Sequence, residues 1–453
     1  MSLRLYTWLR MFLRLVVGVF FRQVEVVGLE HVPERGPVIF AGNHPNSLID
    51  PLLIVVSCGR VVRFAAKDVL FRSAFLRPVL RALGAVPIAR RSDHSDAREA
   101  AAHNEVAFDT LIEVLASGGT IGIFPEGLSH DAPQLARLKT GAARIAAGVC
   151  ERHPEQAVAI VPCGLTYMQR RRFRSRVLLQ FGTPLMVDAA RAAAGDVVAG
   201  VTAELDGGLR ALTVNAADWD TLRVLDGFRR LYQPPQISIH DRVELARRFN
   251  AEYPRVRDEP EVRSLYARVG AYLDRLDAAG VSDRDLQRTL SRGDALARIA
   301  RHLLLIVVWL PLALPGAILH APTGLLVQVA APMLTPRKDV LAATKLLAGL
   351  LLVMASYAVG IAWLGVRAGA RAALVALVAL PITGYATLQV FDRSASLRRG
   401  LSTLVRLFSF EREIAALRAE RGELEAAVVA AVNRFRPSDM VLLFPRESEP
   451  ERK

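Results

Sequence analysis

Two uncharged apolar runs, 346–366 and 372–390, stand within about fifty residues of one another in a chain of 453. A helix needs about 20 residues to cross the hydrocarbon of a bilayer, and each run is long enough. A pair of core helices in a soluble domain is the bland alternative, and the closeness of two such runs weighs against it. Upstream, 303–319 is broken by Pro311, Pro315 and Gly316, and 323–334 is too short to cross alone. Residues 303–334 are therefore expected to form a Pro-kinked, re-entrant hairpin. Basic residues collect on one side of these segments, at Arg301, Arg337, Lys338, Lys345, Arg393, Arg398 and Arg399, and only Arg367 and Arg371 lie between the last two runs. The positive-inside rule then makes 301–392 a multi-pass membrane region and leaves the large soluble parts in the cytoplasm.

The rest of the chain divides by pattern. Residues 1–22 are apolar but interrupted by Arg4, Arg10 and Arg14, with no small-residue cleavage site after them. An interfacial or core-docking helix fits that pattern better than a signal peptide. Over 23–185, short β-branched runs (VEVVGLE, PVIFAGNH, VVRFAAK, GGTIGIFPEG, VAIVPCGLTY, RVLLQFGTPL) alternate with helical segments. That alternation predicts an α/β domain with a largely parallel sheet flanked by helices. Residues 186–300 read as a soluble helical region without recognisable chemistry. The tail, 393–453, carries Ile414, Leu417, Leu424, Val428 and Phe435 at helical spacing, as an amphipathic packing helix or a short coiled coil would.

The formal charge is +14, and the densest basic run is RRRFRSR at 170–176. The run is short, has one aromatic and adjoins no nucleic-acid-binding fold, so nucleic acid is not expected as a partner. An anionic lipid surface or a phosphate suits it, and a solvated hairpin explains it as well. Cys58, Cys150 and Cys163 lack CxxC or Cys/His spacing, which argues against a disulfide scaffold and a zinc site. His130 and Asp131 alone do not make a metal site, and none is expected.

Two constellations carry chemistry. In GNHPNSLID, 42–50, a probable strand ends in His44 and an apolar helix follows. Six residues turn an ideal helix by about 600°, so His44 and Asp50 meet only if Pro45 and Asn46 form a turn first. Asp50 then orients a general base; otherwise Ser47 caps the helix and Asp50 completes a capping box. In GTIGIFPEGLSHD, 119–131, a β-rich run ends at Pro125, Glu126 and Gly127, exposing N–H groups and a carboxylate at a strand end.

Four segments in order, NHPNSLID, GAVPIAR, FPEGLSHD and VPCGLTY, resemble the four blocks of the glycerolipid acyltransferase family over about residues 23–185. That family includes glycerol-3-phosphate, dihydroxyacetone-phosphate and lysophosphatidate acyltransferases. Asp50 lies one residue further from His44 than the family's His-x4-Asp spacing. Leu128-Ser129-His130-Asp131 is similar to the Gly-Ser-His-Asp of fungal-type glycerol-3-phosphate acyltransferases, and LHAPTGLL (319–326) and RKDVLAATK (337–345) are similar to that subfamily more loosely.

The resemblance implies a membrane-bound O-acyltransferase of phospholipid synthesis that moves a fatty acyl group from a thioester to glycerol 3-phosphate or a related glycerol phosphate. A lysophosphatidate or other lysophospholipid acyltransferase is the alternative. A non-enzymatic lipid-binding protein is a third class, and intact His44 and Glu126 stand against it. By the same resemblance His44 and Asp50 are the catalytic pair. Arg90, with Arg91 as second choice, holds the phosphate, and Phe124, Pro125, Glu126, Gly127, Ser129 and Pro162 shape the acceptor site. Acyl-coenzyme A or acyl carrier protein serves as co-substrate, no cofactor is bound, and membrane lipids are the remaining partners.

Overall fold

The computed structural model describes residues 3–89, 97–287, 292–335, 337–409 and 411–445. The chain falls into two compact units, Met1–Asp218 with Arg337–Ala343, and Trp219–Pro336 with Thr344–Lys453.

Among the described residues the first unit is built on eight strands: β1 Phe21–Val27, β2 Val38–Gly42, β3 Val62–Lys67, β4 Val86–Ile88, β5 Thr120–Ile123, β6 Val158–Tyr167, β7 Ser175–Phe181 and β8 Leu185–Val187. Their order is β1-β7-β6-β2-β5-β3-β4. Strands β6, β2, β5, β3 and β4 run parallel, whereas β7 and β8 meet β6 antiparallel along different halves of its length. The fold is thus α/β with a largely parallel sheet. The helices are α1 Leu3–Phe20, α2 Ile49–Ser57, α3 Leu76–Ala82, α4 Ala97–Ala116, α5 Gly141–Arg152, α6 Ala189–Ala192 and α7 Val197–Leu212. Central parallel strands are covered on both faces and so need continuous apolar runs. Every residue of β2 and the first eight of β6 are buried accordingly. Leu111, Leu115, Ile145, Val149, Val201, Leu205 and Leu209, from α4, α5 and α7, share one core with Ile39, Ile121 and Ile160 of the sheet.

Because α7 buries its apolar stripe there, this unit runs on to Asp218 rather than ending near 185, and it also takes in a segment from far downstream. Helix α1 is double-faced. Tyr6, Val17 and Phe20 are buried, the Tyr6 hydroxyl accepts the Val62 amide at 3.0 Å, and Arg10 and Arg14 donate to the carbonyls of Gly59 and Val56. The opposite face leaves Leu5, Trp8, Met11 and Leu15 exposed. Docking helix and interfacial helix are therefore compatible descriptions of one element.

The second unit is helical: α8 Trp219–Tyr232, α9 Ile239–Val256, α10 Pro260–Ala279, α11 Asp283–Gln287, α12 Arg292–Leu334, α13 Leu341–Ser409, whose first three residues belong to the other unit, and α14 Glu411–Phe435. Ile414, Leu417, Leu424 and Val428 of α14 share a core with Leu225, Phe228, Val269 and Leu273, so the tail packs as a helix in a bundle. Residues 303–334 do not form the expected hairpin but lie within the single helix α12. Pro311, Pro315 and Pro322 fall within about 40° of one another around a helix, so these three missing donors share one face, and Pro332 stands apart near the helix end. A proline removes a hydrogen bond and bends a helix without reversing it. Helix α13 breaks at Gly369, whose φ of 84° and ψ of 175° are not helical. Few residues in the long apolar stretches of either helix are buried, and Ile318, Met333 and Val366 are 80% or more exposed.

Candidate active site

Strands β2 and β5 are parallel neighbours, with Ala41 opposite Ile123, and the chain leaves both at the same end. Parallel α/β sheets bind their ligands beyond the carboxyl ends of the strands. His44 and Phe124 emerge side by side there, and their rings stack at 4.1 Å with a 10° interplanar angle. Phe64 of β3 lies beneath Phe124 at 5.5 Å. Gly122 makes room for this stack, because a Cβ at that position would lie 2.2 Å from the Phe64 ring.

Asn43 ends β2 in an unusual way. Its side-chain amide donates to the Leu165 carbonyl at 3.1 Å and accepts the Leu165 N–H at 2.7 Å, standing in for one more peptide of the β2–β6 ladder. The backbone is thereby released into a turn. Ser47 sits there in a left-handed conformation, φ 46°, which costs a residue with a Cβ on the order of 1 kcal/mol. The turn brings Asp50 back: its Oδ2 lies 2.9 Å from His44 Nδ1 and accepts the Asn46 amide at 2.7 Å, and its Oδ1 accepts the Tyr167 hydroxyl at 2.5 Å. Helix α2 has Leu48 as its N-cap residue with no side-chain cap. Ser47 therefore does not form the capping box, and Asp50 turns to His44 instead. Asp50 is fully buried while the His44 side chain keeps 14% exposure. With Nδ1 committed to Asp50, Nε2 is the ring atom left for an incoming hydroxyl.

Glu126 is 2% exposed and both of its oxygens are in use. Oε1 accepts the His44 amide at 2.8 Å; Oε2 accepts the Ala136 amide at 2.8 Å and meets His130 Nε2 at 2.5 Å. Burial pushes the carboxyl up, and the bonds from His130 and the two amides outweigh it, leaving Glu126 below the ordinary range. The same pair raises His130. His130 Nδ1 accepts the Ala132 amide at 3.1 Å, a bond only the neutral ring can make, and this opposes the pull of Glu126. Ser129 Oγ accepts the Ser47 amide at 3.1 Å.

His44, Asp50, Phe124, Pro125, Glu126, Gly127 and Ser129 are thus brought together. Pro162 is not with them: it is buried in β6, its ring faces Gly208 of α7, and its carbonyl accepts the Gly182 amide. Arg90 and Arg91 lie outside the described residues. Part of the 170–176 run has local work, since Arg170 and Arg171 pair with Asp131 at 2.5 Å and Arg174 donates to the carbonyls of Gly18, Val19 and Phe21. Cys163 is fully buried in β6 with its thiol pushed well up by burial, which removes it as a nucleophile.

Two residues that pattern alone did not single out join the site. Tyr167 was visible only as the end of VPCGLTY, and the antiparallel β6–β7 extension carries it to Asp50. Lys139 lies against Gly127: a Cβ on that glycine, which has φ 70°, would sit 2.5 Å from Lys139 Nζ. The Lys139 amide donates to the Pro125 carbonyl at 2.7 Å, which fixes the stem beside the turn.

Residues 23–166 match the family model for the acyltransferase domain, and residues 224–440 match that for the C-terminal domain of glycerol-3-phosphate acyltransferase 2. Over these two regions the chain is similar to the glycerolipid acyltransferase family. Among its relatives, glycerol-3-phosphate O-acyltransferase 2 of Saccharomyces cerevisiae is 35% identical over 50% of this chain and 32% of its own length. Glycerol-3-phosphate O-acyltransferase 1 of the same yeast is 25% identical over 71% of this chain and 54% of its own length. A 1-acyl-sn-glycerol-3-phosphate acyltransferase of Borreliella burgdorferi is 33% identical over 27% of this chain and 46% of its own length. The chain thus spans about a third to a half of each of these relatives. In this chain the His44 and Glu126 turns fall within the first matched region and the long apolar helices within the second.

Proposed function

We propose that this protein is a membrane-bound O-acyltransferase that moves a fatty acyl group from an acyl thioester to a hydroxyl of glycerol 3-phosphate or a related glycerol phosphate. The observation that carries this reading is the Asp50-held His44, stacked on Phe124, with its own amide fixed by Glu126. His44 Nε2 takes the proton of the acceptor hydroxyl as its oxygen attacks the thioester carbonyl carbon. The tetrahedral intermediate collapses, the C–S bond breaks, and the imidazolium returns the proton to the departing thiolate. Asp50 stabilises the imidazolium in between. No acyl-enzyme forms.

Glu126 acts by holding the His44 turn rather than by touching the acceptor, since both its oxygens are occupied. Phe124 sets the plane of the imidazole, and Gly127 leaves room for the Lys139 stem. The acceptor phosphate is assigned to Arg90, with Arg91 second, and Lys139 is the cation beside the Pro-Glu-Gly turn. The exposed apolar faces of α1, α12 and α13 support association with a membrane. The donor is acyl-coenzyme A or acyl carrier protein.

The lysophosphatidate reading rests on the similarity to the Borreliella protein and uses the same His44 chemistry. One competition decides between them. Purified protein receives equal glycerol 3-phosphate, dihydroxyacetone phosphate and lysophosphatidate with one acyl donor, and products are identified by mass. Lysophosphatidate from glycerol 3-phosphate as the main product supports the first reading, phosphatidate supports the second, and no acylated product rejects both.

A further inference from the structure

The segment Arg337–Ala343 lies between α12 and the body of α13 in sequence, yet it belongs to the same compact unit as the sheet and the His44 turn. It is not loosely held. Asp339 is 6% exposed, and Ala342 and Ala343 are buried. Arg337 grips Asp339 through Nε and Nη2, at 3.3 and 2.7 Å, and the same Nη2 donates to the Ser129 carbonyl at 3.3 Å. Burial pushes the Asp339 carboxyl up, and Arg337 together with the Ser129 hydroxyl pulls it below the ordinary aspartate range.

Ser129 is the residue that matters here. Its hydroxyl takes the amide of Ser47, the left-handed residue of the turn, and the next amide, from His130, donates to the His44 carbonyl at 3.3 Å. On its inner side the 126–130 loop thus clasps the 44–50 turn. On its outer side two guanidinium groups hold its carbonyls, Arg337 on Ser129 and Arg170 on His130. A left-handed serine persists only where its surroundings over-determine it. If the loop relaxes, the turn can relax, and Asp50 loses its reach to His44.

We propose that Arg337 and Asp339 are positioning residues of the acyltransferase site: they fix Ser129, and through Ser129 they hold the turn that lets Asp50 orient His44. This assignment rests on the reading of His44 as the general base. Neither residue touches the reacting atoms. Arg337 instead supplies a planar, bidentate brace that a point charge reproduces only in part. The acyltransferase unit is accordingly complete only with a segment drawn from beyond α12.

The test uses the full chain in detergent or nanodiscs, with steady-state kinetics on Ser129→Ala, Arg337→Ala, Arg337→Lys, Asp339→Asn and the double variant of Ser129→Ala with Arg337→Ala. Each single alanine or asparagine variant should lose kcat by about tenfold or more with the KM for acyl donor within about twofold. Arg337→Lys should recover part of the loss. Because both substitutions cut one path, the double variant should be no slower than Ser129→Ala within about twofold. A merely structural brace would lower the folded fraction and thermal midpoint and leave kcat per folded molecule unchanged, and that result overturns the proposal. So does wild-type kcat in Arg337→Ala or Ser129→Ala, or losses that multiply in the double variant. A wild-type protein that acylates no acceptor rejects the reading of the site itself, whereas failure of the variants alone rejects only this assignment.

Discussion

Asp50 accepts three hydrogen bonds, from the Asn46 amide, the Tyr167 hydroxyl and His44, and is closed off from water. Its hold on His44 is therefore shared among residues far apart in the chain. His44→Ala should lower turnover by about 10² or more in a protein that still folds and sediments with membranes; near wild-type turnover in such a protein refutes the base assignment. Tyr167→Phe removes one of the three bonds, a loss of about 1 kcal/mol, so turnover should fall roughly fivefold with substrate KM values unchanged. Glu126 and His130 make a prediction in pH. Glu126 is lowered in the fold, so its contribution is present above its unfolded value and lost as pH falls through the folded one. His130 is raised, so its contribution is full below its unfolded value and lost as pH rises through the folded one. The thermal midpoint of wild type should therefore exceed that of His130→Ala most at about pH 5–6 and least well above neutrality; a gap that widens at alkaline pH contradicts the pairing. Residues 44 and 50 were legible as a pair because a Pro-Asn turn between strand and helix is written in the sequence. Tyr167 was not, because its partner is set by strand register, which no local pattern records.

At the level of elements, periodicity reported faces well and reversals poorly. The stripe of Leu5, Trp8, Met11 and Leu15 on α1 is such a face, exposed and apolar. Replacing Trp8 and Leu15 together with Glu should weaken attachment of this unit to lipid, seen as easier extraction from vesicles at high salt, with turnover in detergent preserved. Unaltered extraction contradicts an interfacial role for α1. Helix α12 shows the other side: prolines suggested a hairpin, but a chain reverses only where a turn replaces the helix, and prolines that share a face merely bend it. In the helical unit, Arg421 of α14 donates to Asp283 of α11 at 3.0 Å, and Tyr272 of α10 donates to the same oxygen at 2.9 Å. All three are nearly enclosed. Arg421→Ala leaves Asp283 buried without its cation, so the protein should lose about 3 kcal/mol of stability, read as a lowered thermal midpoint. Arg421→Ala at the wild-type midpoint would show that water reaches the aspartate.

For the molecule as a whole, the basic residues flanking α12 and α13 make topology testable. If the positive-inside reading holds, a cysteine reporter at Gly369 is labelled by an impermeant reagent from outside the cell, and one at Ser396 is not. The reverse pattern overturns it. The α/β class and the apolar helices could be read from the chain, because alternation and uninterrupted apolar length are local properties. The extent of the sheet unit could not: α7 joins it by the fit of Val201, Leu205 and Leu209 to the sheet, and Arg337–Ala343 joins it from beyond α12. That discontinuity has a consequence in time. A ribosome delivers the chain from its first residue onward, and domains fold as units when their residues have emerged. The eight described strands are present once residue 187 has been made, but the last piece of their unit follows the whole of α12. During synthesis the sheet therefore waits, with the place of that piece vacant, until the long apolar helix has already left the ribosome.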